Sequence, residues 1–207
     1  MATDNHDSQQ IPVIILAAGN SERMVQPKPF MKWDEHTTFL EKIVSEYTAI
    51  GAGRIIIVMN KAGYVRVNAE VPQITESANI IVNEHPEKGR MSSLKLGLQS
   101  IPGNTSSFIQ NIDNPFVNAA LLRLMIPLDE PDAYVVPVCN GKGGHPVLTG
   151  SKIVEHILAD ESDDSDFRLM LKNFRRKEVE TDDKFILVNI NTPEDYQLYF
   201  NRNKMKV

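Results

Sequence analysis

The chain has 207 residues, 42% hydrophobic and 24% charged, enough apolar material for one α/β domain with a substantial core. Lys and Arg number 22 against 27 Asp and Glu, a net charge of −5, and no basic block of the kind that tracks a nucleic-acid backbone occurs. No run approaches the ~18–20 apolar residues that span a membrane, and residues 1–10 carry Asp4 and Asp7 where a secretion signal is basic and then apolar.

Met1 to Gln10 reads as a flexible tail. Residues 11–207 read as a single domain, because no Gly/Ser-rich linker and no internal repeat divides them. The first predicted strand is Pro12 to Leu16, and a helix follows over Thr38 to Ile50, with Thr37 or Thr38 as N-cap and Gly51 just past its end. Strand Arg54 to Met59, helix Gly63 to Glu70, strand Asn79 to Asn83 and helix Met91 to Ser100 come next. They are followed by strand Ser107 to Ile112, helix Asn118 to Pro127, and strands Ala133 to Val138 and Pro146 to Thr149. Helices Lys152 to Ala159 and Asp166 to Asn173, strand Phe185 to Ile190 and helix Pro193 to Asn203 complete the chain. The early strands are near-continuous apolar runs (Val13-Ile14-Ile15-Leu16, Ile55-Ile56-Ile57-Val58), as strands buried on both faces are. Strands alternating with helices predict a mostly parallel sheet covered by helices.

The one cysteine, Cys139, ends an apolar stretch and reads as a strand-end residue; a chain with one cysteine has no internal disulfide and fits a reducing cytoplasm. The densest basic run, Lys172 to Lys177, reads as a solvated helix end. The acidic stretch Asp160 to Asp166 reads as a solvated loop before a helix.

In open α/β sheets ligands bind beyond the carboxyl ends of the strands. After the first strand comes Leu16-Ala17-Ala18-Gly19-Asn20-Ser21-Glu22-Arg23-Met24, then Pro27-Lys28. Small residues at 17 to 19 let backbone approach a ligand, Ser21 and backbone N–H groups can bind phosphate oxygens, and Arg23 and Lys28 supply the cations a polyphosphate needs. A strand-to-helix turn with two surface cations would read the same way. The segment is neither a Walker loop nor a dinucleotide fingerprint, and Asn60 stands at the end of the second strand where an oxidoreductase of Rossmann type carries an acid. Asp113, at the tip of an apolar strand and followed by Asn114-Pro115, is placed either to ligate Mg²⁺ or to make a turn. His6, His36 and His156 have no metal-ligand spacing, so a zinc site is not expected.

The segment from Leu16 to Met24, with Pro27-Lys28, resembles the signature of the MobA-like nucleotidyltransferases, in particular their molybdenum cofactor cytidylyltransferase branch. Further blocks resemble the same family in order: Gly89-Arg-Met-Ser-Ser-Leu-Lys-Leu-Gly-Leu98, Ile112-Asp-Asn-Pro-Phe-Val117, Gly144-His-Pro-Val-Leu148 and Asn189-Ile-Asn-Thr-Pro-Glu-Asp-Tyr196. The resemblance implies a Rossmann-like three-layer α/β/α fold of the nucleotide-diphospho-sugar transferase type. It implies a cytoplasmic Mg²⁺-dependent enzyme (Mn²⁺ being an alternative ion) that moves a nucleoside monophosphate from an NTP onto a small phosphorylated acceptor. Ala18 leans to CTP over GTP, and molybdopterin is then the implied acceptor.

The resemblance also implies roles. Leu16, Ala17, Ala18, Gly19 and Ser21 belong to the nucleotide site, with Ala17 to Gly19 lining base and ribose. Arg23 and Lys28 hold the triphosphate, Ser93 sits near the base, Asp113 binds the metal and Asn189 supplies a second ligand. His145 either contacts the acceptor or orients its loop. Three departures stand out: Val25 replaces a usual glycine, Ile112 replaces the glycine before the aspartate, and Asn189 and Asn191 replace acids. If position 25 needs φ > 0, Val is strained there. A transferase for sugar or alditol phosphates and a nucleotide-binding homologue with weak or lost catalysis are the alternatives.

Overall fold

The structure is a computed structural model that describes residues 10–21, 23–103 and 105–200. Most of the expected tail (1–9) and the last residues of the expected final helix (201–203) lie outside the described residues.

The chain begins with β1 (Val13–Ala17), α1 (Phe39–Ala49), β2 (Ile55–Met59), α2 (Lys61–Glu70), α3 (Ile74–Ser77), β3 (Asn79–Val82), α4 (Gly89–Leu98) and β4 (Ser107–Asn111). It continues with α5 (Ala119–Met125), β5 (Ala133–Cys139), β6 (Lys142–Gly143), β7 (Val147–Thr149), α6 (Ser151–Ala159), α7 (Phe167–Leu171), β8 (Arg175–Glu180) and α8 (Pro193–Phe200). The sheet runs β3-β2-β1-β4-β7-β5-β6, with β8 beside β5. β1, β2, β3 and β4 are mutually parallel, whereas β7 is antiparallel to both β4 and β5.

β1 lies between β2 and β4, and all five of its residues are buried. Because side chains alternate along a strand, Val13, Ile15 and Ala17 enter one apolar layer with α1, α2, α3 and α5. Ile14 and Leu16 enter the other, with α4, α6 and α7. The three-layer α/β/α architecture expected from the sequence is therefore present. Cys139 is buried at the end of β5 and unpaired.

Local chemistry sets the elements. α1 starts at Thr38, whose hydroxyl accepts from Glu41 N while the Glu41 carboxylate accepts from Thr38 N, a reciprocal cap that stabilises by about 1 kcal/mol. It stops before Gly51, which adopts φ +69°, the left-handed conformation that glycine supplies without strain. Its apolar face (Phe39, Leu40, Ile43, Val44, Tyr47) is buried against the sheet, at roughly 1.5–3 kcal/mol per large side chain.

Two sequence expectations are corrected. The run Phe185 to Ile190 is not a strand; it forms a 3-10 turn over Lys184–Leu187 and then extended chain. Its carbonyls at 185, 186 and 188 accept from the Asn114 side chain, and Ile186 O also accepts from His145 N, so these groups are taken without a ladder. The eighth strand is instead Arg175–Glu180, which begins within the Lys172 to Lys177 run read as a solvated helix end. It pairs in parallel with β5 and buries only Val179, while Arg175 and Lys177 pair with Glu130 and Asp132 across the surface. A strand with one free margin is commonly this highly charged, which hides it from a reading based on apolar runs.

Gly97 lets α4 lie directly on the sheet: a Cβ there would sit 2.4 Å from Ile14 Cγ2 and 3.1 Å from Val58 Cγ2. Both neighbours are β-branched and stiff about χ1. Gly97→Ala is therefore expected to lower unfolding stability by about 1–3 kcal/mol through overpacking, although alanine favours helix by up to ~1 kcal/mol. Urea denaturation measures this, and an unchanged or raised midpoint would contradict the packing argument.

Candidate active site

The carboxyl ends of β1 and β4 open into a cleft of about 330 Å³. Leu16, Ala18, Gly19 and Ser21 line one side, and Ser93, Gly89 and Arg90 of α4 line another. Asn111, Ile112, Asp113 and Lys28 close the end. A second cavity of about 360 Å³ adjoins it, bounded by Asn20, Ser21, Arg23, Lys28 and Asn191. Ser21 and Lys28 belong to both, so the two form one crevice with Lys28 at the junction.

The loop after β1 is shaped by side chains. Ser21 adopts φ +53°, its hydroxyl accepts from Lys28 N at 3.2 Å, and its carbonyl accepts from Met24 N at 2.8 Å. Asn60, the N-cap of α2, donates to Ala18 O at 3.2 Å and so ties the loop to the end of β2. Among the described residues of this loop the left-handed one is Ser21; Val25 has no positive φ and is 91% exposed, so the strain considered for valine at 25 does not arise.

Asp113 sits on a turn held from beneath. Gln110 is fully buried; its amide N–H donates to the carbonyls of Asn111 and Asn114 at 2.8 Å each, and its oxygen accepts from Tyr47 OH at 3.1 Å. Asn114 Nδ2 donates to Val188 O at 2.6 Å, and Ile190 N donates to Asp113 O at 2.7 Å. The Asp113 side chain then lies with Oδ2 3.8 Å from Lys28 Nζ and with Oδ1 buried and accepting no hydrogen bond from the described residues. Burial lowers the Lys28 ammonium pKa; Arg23 acts in the same direction, while Asp113 and Asp195 oppose it.

Lys28 Nζ also donates to Asn191 Oδ1 at 2.7 Å. Asn191 is fixed by the start of α8. The Asp195 carboxylate accepts from Asn191 N and Thr192 N, each at 2.9 Å, and Thr192 Oγ1 accepts from Asp195 N at 3.2 Å. Tyr196 OH donates to Lys32 O at 2.8 Å and fastens that helix to the chain after Lys28.

Of the residues singled out in the sequence, Leu16, Ala18, Gly19, Ser21, Lys28, Ser93 and Asp113 meet at the first cleft. Arg23 is exposed and faces the second cavity. Ala17 points into the opposite layer among buried apolar residues and lines neither cavity, because it is one residue out of phase with Leu16 and Ala18. Asn189 is exposed and lines neither cavity; the amide beside Lys28 is Asn191, two residues on. His145 is half-buried behind the cleft, both ring nitrogens 3.4 Å from Asn111 Nδ2. Sequence reasoning gave no role to Asn83, whose amide donates to Ser93 Oγ at 2.9 Å, nor to Asn111 or Arg90. Arg90 lay in plain view as a charge among the small residues that open α4.

An acceptor-only oxygen without a partner, next to a cation, suits a hard divalent ion. Among the described residues no cluster of three His, Cys, Asp or Glu could enclose a metal. Such an ion would take Asp113 as carboxylate ligand and complete its shell with phosphate oxygens and water, as Mg²⁺ and Mn²⁺ do in nucleotide sites. Asn191 Oδ1 is the nearby protein oxygen, at present bonded to Lys28. No helix among the described residues is long and apolar enough to cross a membrane.

A family profile described as the MobA-like NTP transferase domain matches residues 13–179. The chain is 27% identical over 188 residues to the molybdenum cofactor cytidylyltransferase of Escherichia coli strain K12, covering 90% of this chain and 93% of that protein. It is 24% identical over 200 residues to the probable molybdenum cofactor guanylyltransferase of Carboxydothermus hydrogenoformans, covering 91% and 94%. Among solved structures, Rv0371c from Mycobacterium tuberculosis H37Rv superposes with a TM-score of 0.77 at 23% identity, covering 91% of this chain and 97% of that one. Its complex with manganese gives 0.74 at 21%, covering 93% and 99%. These superpositions establish a shared fold, that of the nucleotide-diphospho-sugar transferases.

Burial pushes the His145 imidazole from its ordinary 6.5 down to about 4, with Arg90 and Arg168 acting the same way and Asp113 opposing. The unfolded chain then takes up this proton first. The stability held by neutral His145 is complete above pH 6.5 and declines as pH falls towards 4. His145→Gln is expected to flatten the fall of Tm between those values; identical slopes for the variant and the parent would refute this assignment.

Proposed function

Because the chain belongs to the MobA-like NTP transferase family and is a nucleotidyltransferase, we propose that it moves CMP from CTP onto the phosphate of a molybdopterin-type acceptor, releasing pyrophosphate. Residues 11–207 act as one catalytic unit in this reading. The observation that carries it is the Asp113 carboxylate at the end of the first cleft, its Oδ1 buried and without a hydrogen bond among the described residues and its Oδ2 3.8 Å from Lys28, where the two cavities join.

The base and ribose occupy the cleft between Ala18–Gly19 and Ser93, whose hydroxyl is oriented by Asn83. The triphosphate runs past Lys28 towards Arg23. An oxygen of the acceptor phosphate attacks the α-phosphorus, and the bond from that phosphorus to the bridging oxygen breaks. The electron pair leaves with pyrophosphate. The nucleophile is already anionic, so positioning and charge neutralisation carry the reaction and no general base is needed. Lys28 and Arg23 balance charge that grows on the departing pyrophosphate. A Mg²⁺ or Mn²⁺ ion held by Asp113 supplies, when bound, neutralisation and alignment of the phosphate oxygens.

Support for cytosine is Ala18, together with the cytidylyltransferase relative; the guanylyltransferase relative keeps GTP as the rival. One observation favours a second reading, a nucleotide-binding homologue with weak catalysis. Asn191, an amide where the family resemblance implies an acid, is bonded to Lys28 and brings no charge to the metal.

Asp113→Ala is expected to lower kcat about a thousandfold, the equivalent of several kcal/mol of lost charge stabilisation, while CTP still binds. Parental turnover in this variant would remove the metal role. In thermal denaturation, CTP with Mg²⁺ at ~100 times Kd should add about 2.7 kcal/mol, a rise of roughly 5–10 °C. A rise with GTP alone would reassign the base, and no rise with any nucleotide would sink the nucleotide reading.

A further inference from the structure

Beyond the crevice lies a third cavity of about 310 Å³ that shares Gly89 and Arg90 with the nucleotide cleft and has Phe167, Arg168 and Lys88 on its other walls. Three cations, Lys88, Arg90 and Arg168, and three acids, Asp163, Asp164 and Asp166, line it, and two of the acids are engaged. Lys95 of α4, buried, donates its ammonium to Asp160 O at 2.5 Å and Ser162 O at 2.7 Å and lies 3.9 Å from Asp163 Oδ1; Lys88 lies 3.7 Å from the same carboxylate. The acidic stretch expected to be a solvated loop is thus strapped to the helix that carries Ser93 and Arg90. Asp166 in turn caps α7, accepting from Arg168 N at 2.7 Å and Leu169 N at 3.1 Å.

Asp163 and Asp166 are therefore committed to building this wall, leaving Asp164 as the acid that lines it without a cation among the described residues. The guanidinium groups of Arg90 and Arg168 have no hydrogen bond or ion pair with any described residue, whereas Arg66, Arg175 and Arg176 are each paired with a carboxylate. Arg90 Cζ stands 5.8 Å from the centre of the Phe167 ring, next to Arg168 in the chain, so an aromatic face holds it with its N–H fork free. Desolvation lowers its pKa, and Asp113 of the cleft and Asp166 of this cavity both oppose that, in keeping with its place in the lining of each.

We propose that this cavity seats the acceptor's phosphate: Arg90 and Arg168 grip a phosphate monoester from the side of Asp113 away from Arg23. The proposal rests on the reading of the adjoining cleft as a nucleotide site. Planar guanidinium forks suit two oxygens of one phosphate each, leaving the third oxygen to face the α-phosphorus. That oxygen forms the new P–O–P bond as pyrophosphate departs with the electron pair. Lys95 is a positioning residue here, acting through the 160–166 loop.

The test loads the protein with a non-hydrolysable α,β-methylene analogue of CTP and Mg²⁺, then titrates phenyl phosphate by calorimetry. The expected result is binding to the loaded protein that weakens about tenfold or more in Arg90→Gln and in Arg168→Gln. Arg168→Gln should leave affinity for the CTP analogue unchanged. No phenyl phosphate binding to the loaded parent, or binding in both variants as tight as in the parent, would overturn the seat. Failure of the CTP analogue itself to bind sinks the nucleotide reading instead. Phenyl phosphate titrated into Lys28→Ala then still decides, by its dependence on Arg90 and Arg168, whether the phosphate seat exists.

Discussion

The turn after β4 is held by buried amides, and the geometry of the crevice follows from that. Gln110 satisfies Tyr47 on one side and two backbone carbonyls on the other, while Asn114 reaches across to the 185–188 segment. Each neutral hydrogen bond contributes only about 1 kcal/mol net, but a buried group left without its partner costs about 1–3 kcal/mol. The network is therefore stiff: it resists any displacement that breaks one member. Burial holds the Tyr47 phenol well above its ordinary pKa, so it remains a neutral donor at any physiological pH. Asp113 inherits that rigidity and projects a charged, partly unpartnered carboxylate to the end of the cleft.

The same network explains why a distant part of the chain enters the site. Residues 185–190 dock on the turn through side-chain and backbone bonds, and the extended chain beyond them delivers Asn191 to Lys28. The Thr192–Asp195 pair then fixes the entry to α8. A block of sequence that resembles a catalytic motif is thus partly structural: Asp195 shapes the chain, while Asn191 meets the lysine.

Net charge gives little guide to this crevice. An acidic protein gathers Arg23, Lys28, Arg90 and Arg168 along one crevice, while Asp163 and Asp166 beside it are engaged in a strap and a helix cap. Local convergence of a few cations and backbone dipoles is what a polyphosphate senses within a Debye length.

The layers and the cleft that follows β1 were legible in the sequence for simple reasons. β1 and β2 are buried on both faces and read as unbroken apolar runs, and α1 announces itself by its cap, its apolar spacing and Gly51. The segment after β1 carries its small residues and cations contiguously, so Ala18, Gly19, Ser21 and Lys28 could be named from local order alone. What failed were features set by partners far away in sequence. Arg175–Glu180 became a strand because β5 offered a ladder and Glu130 and Asp132 neutralised its charge, while Phe185–Ile190, more apolar, lost its ladder to Asn114. Alternation along β1 decided that Ala17 faces away, and the Asp195 carboxylate, accepting from Asn191 N and Thr192 N, fixed Asn191 rather than Asn189 at Lys28. Sequence by itself determined the fold class and which small and cationic residues gather after β1, because propensity, periodicity and contiguous motifs are local. Only the tertiary structure decided which charges stay unpaired at the crevice, because pairing depends on what the folded chain brings within a few ångströms.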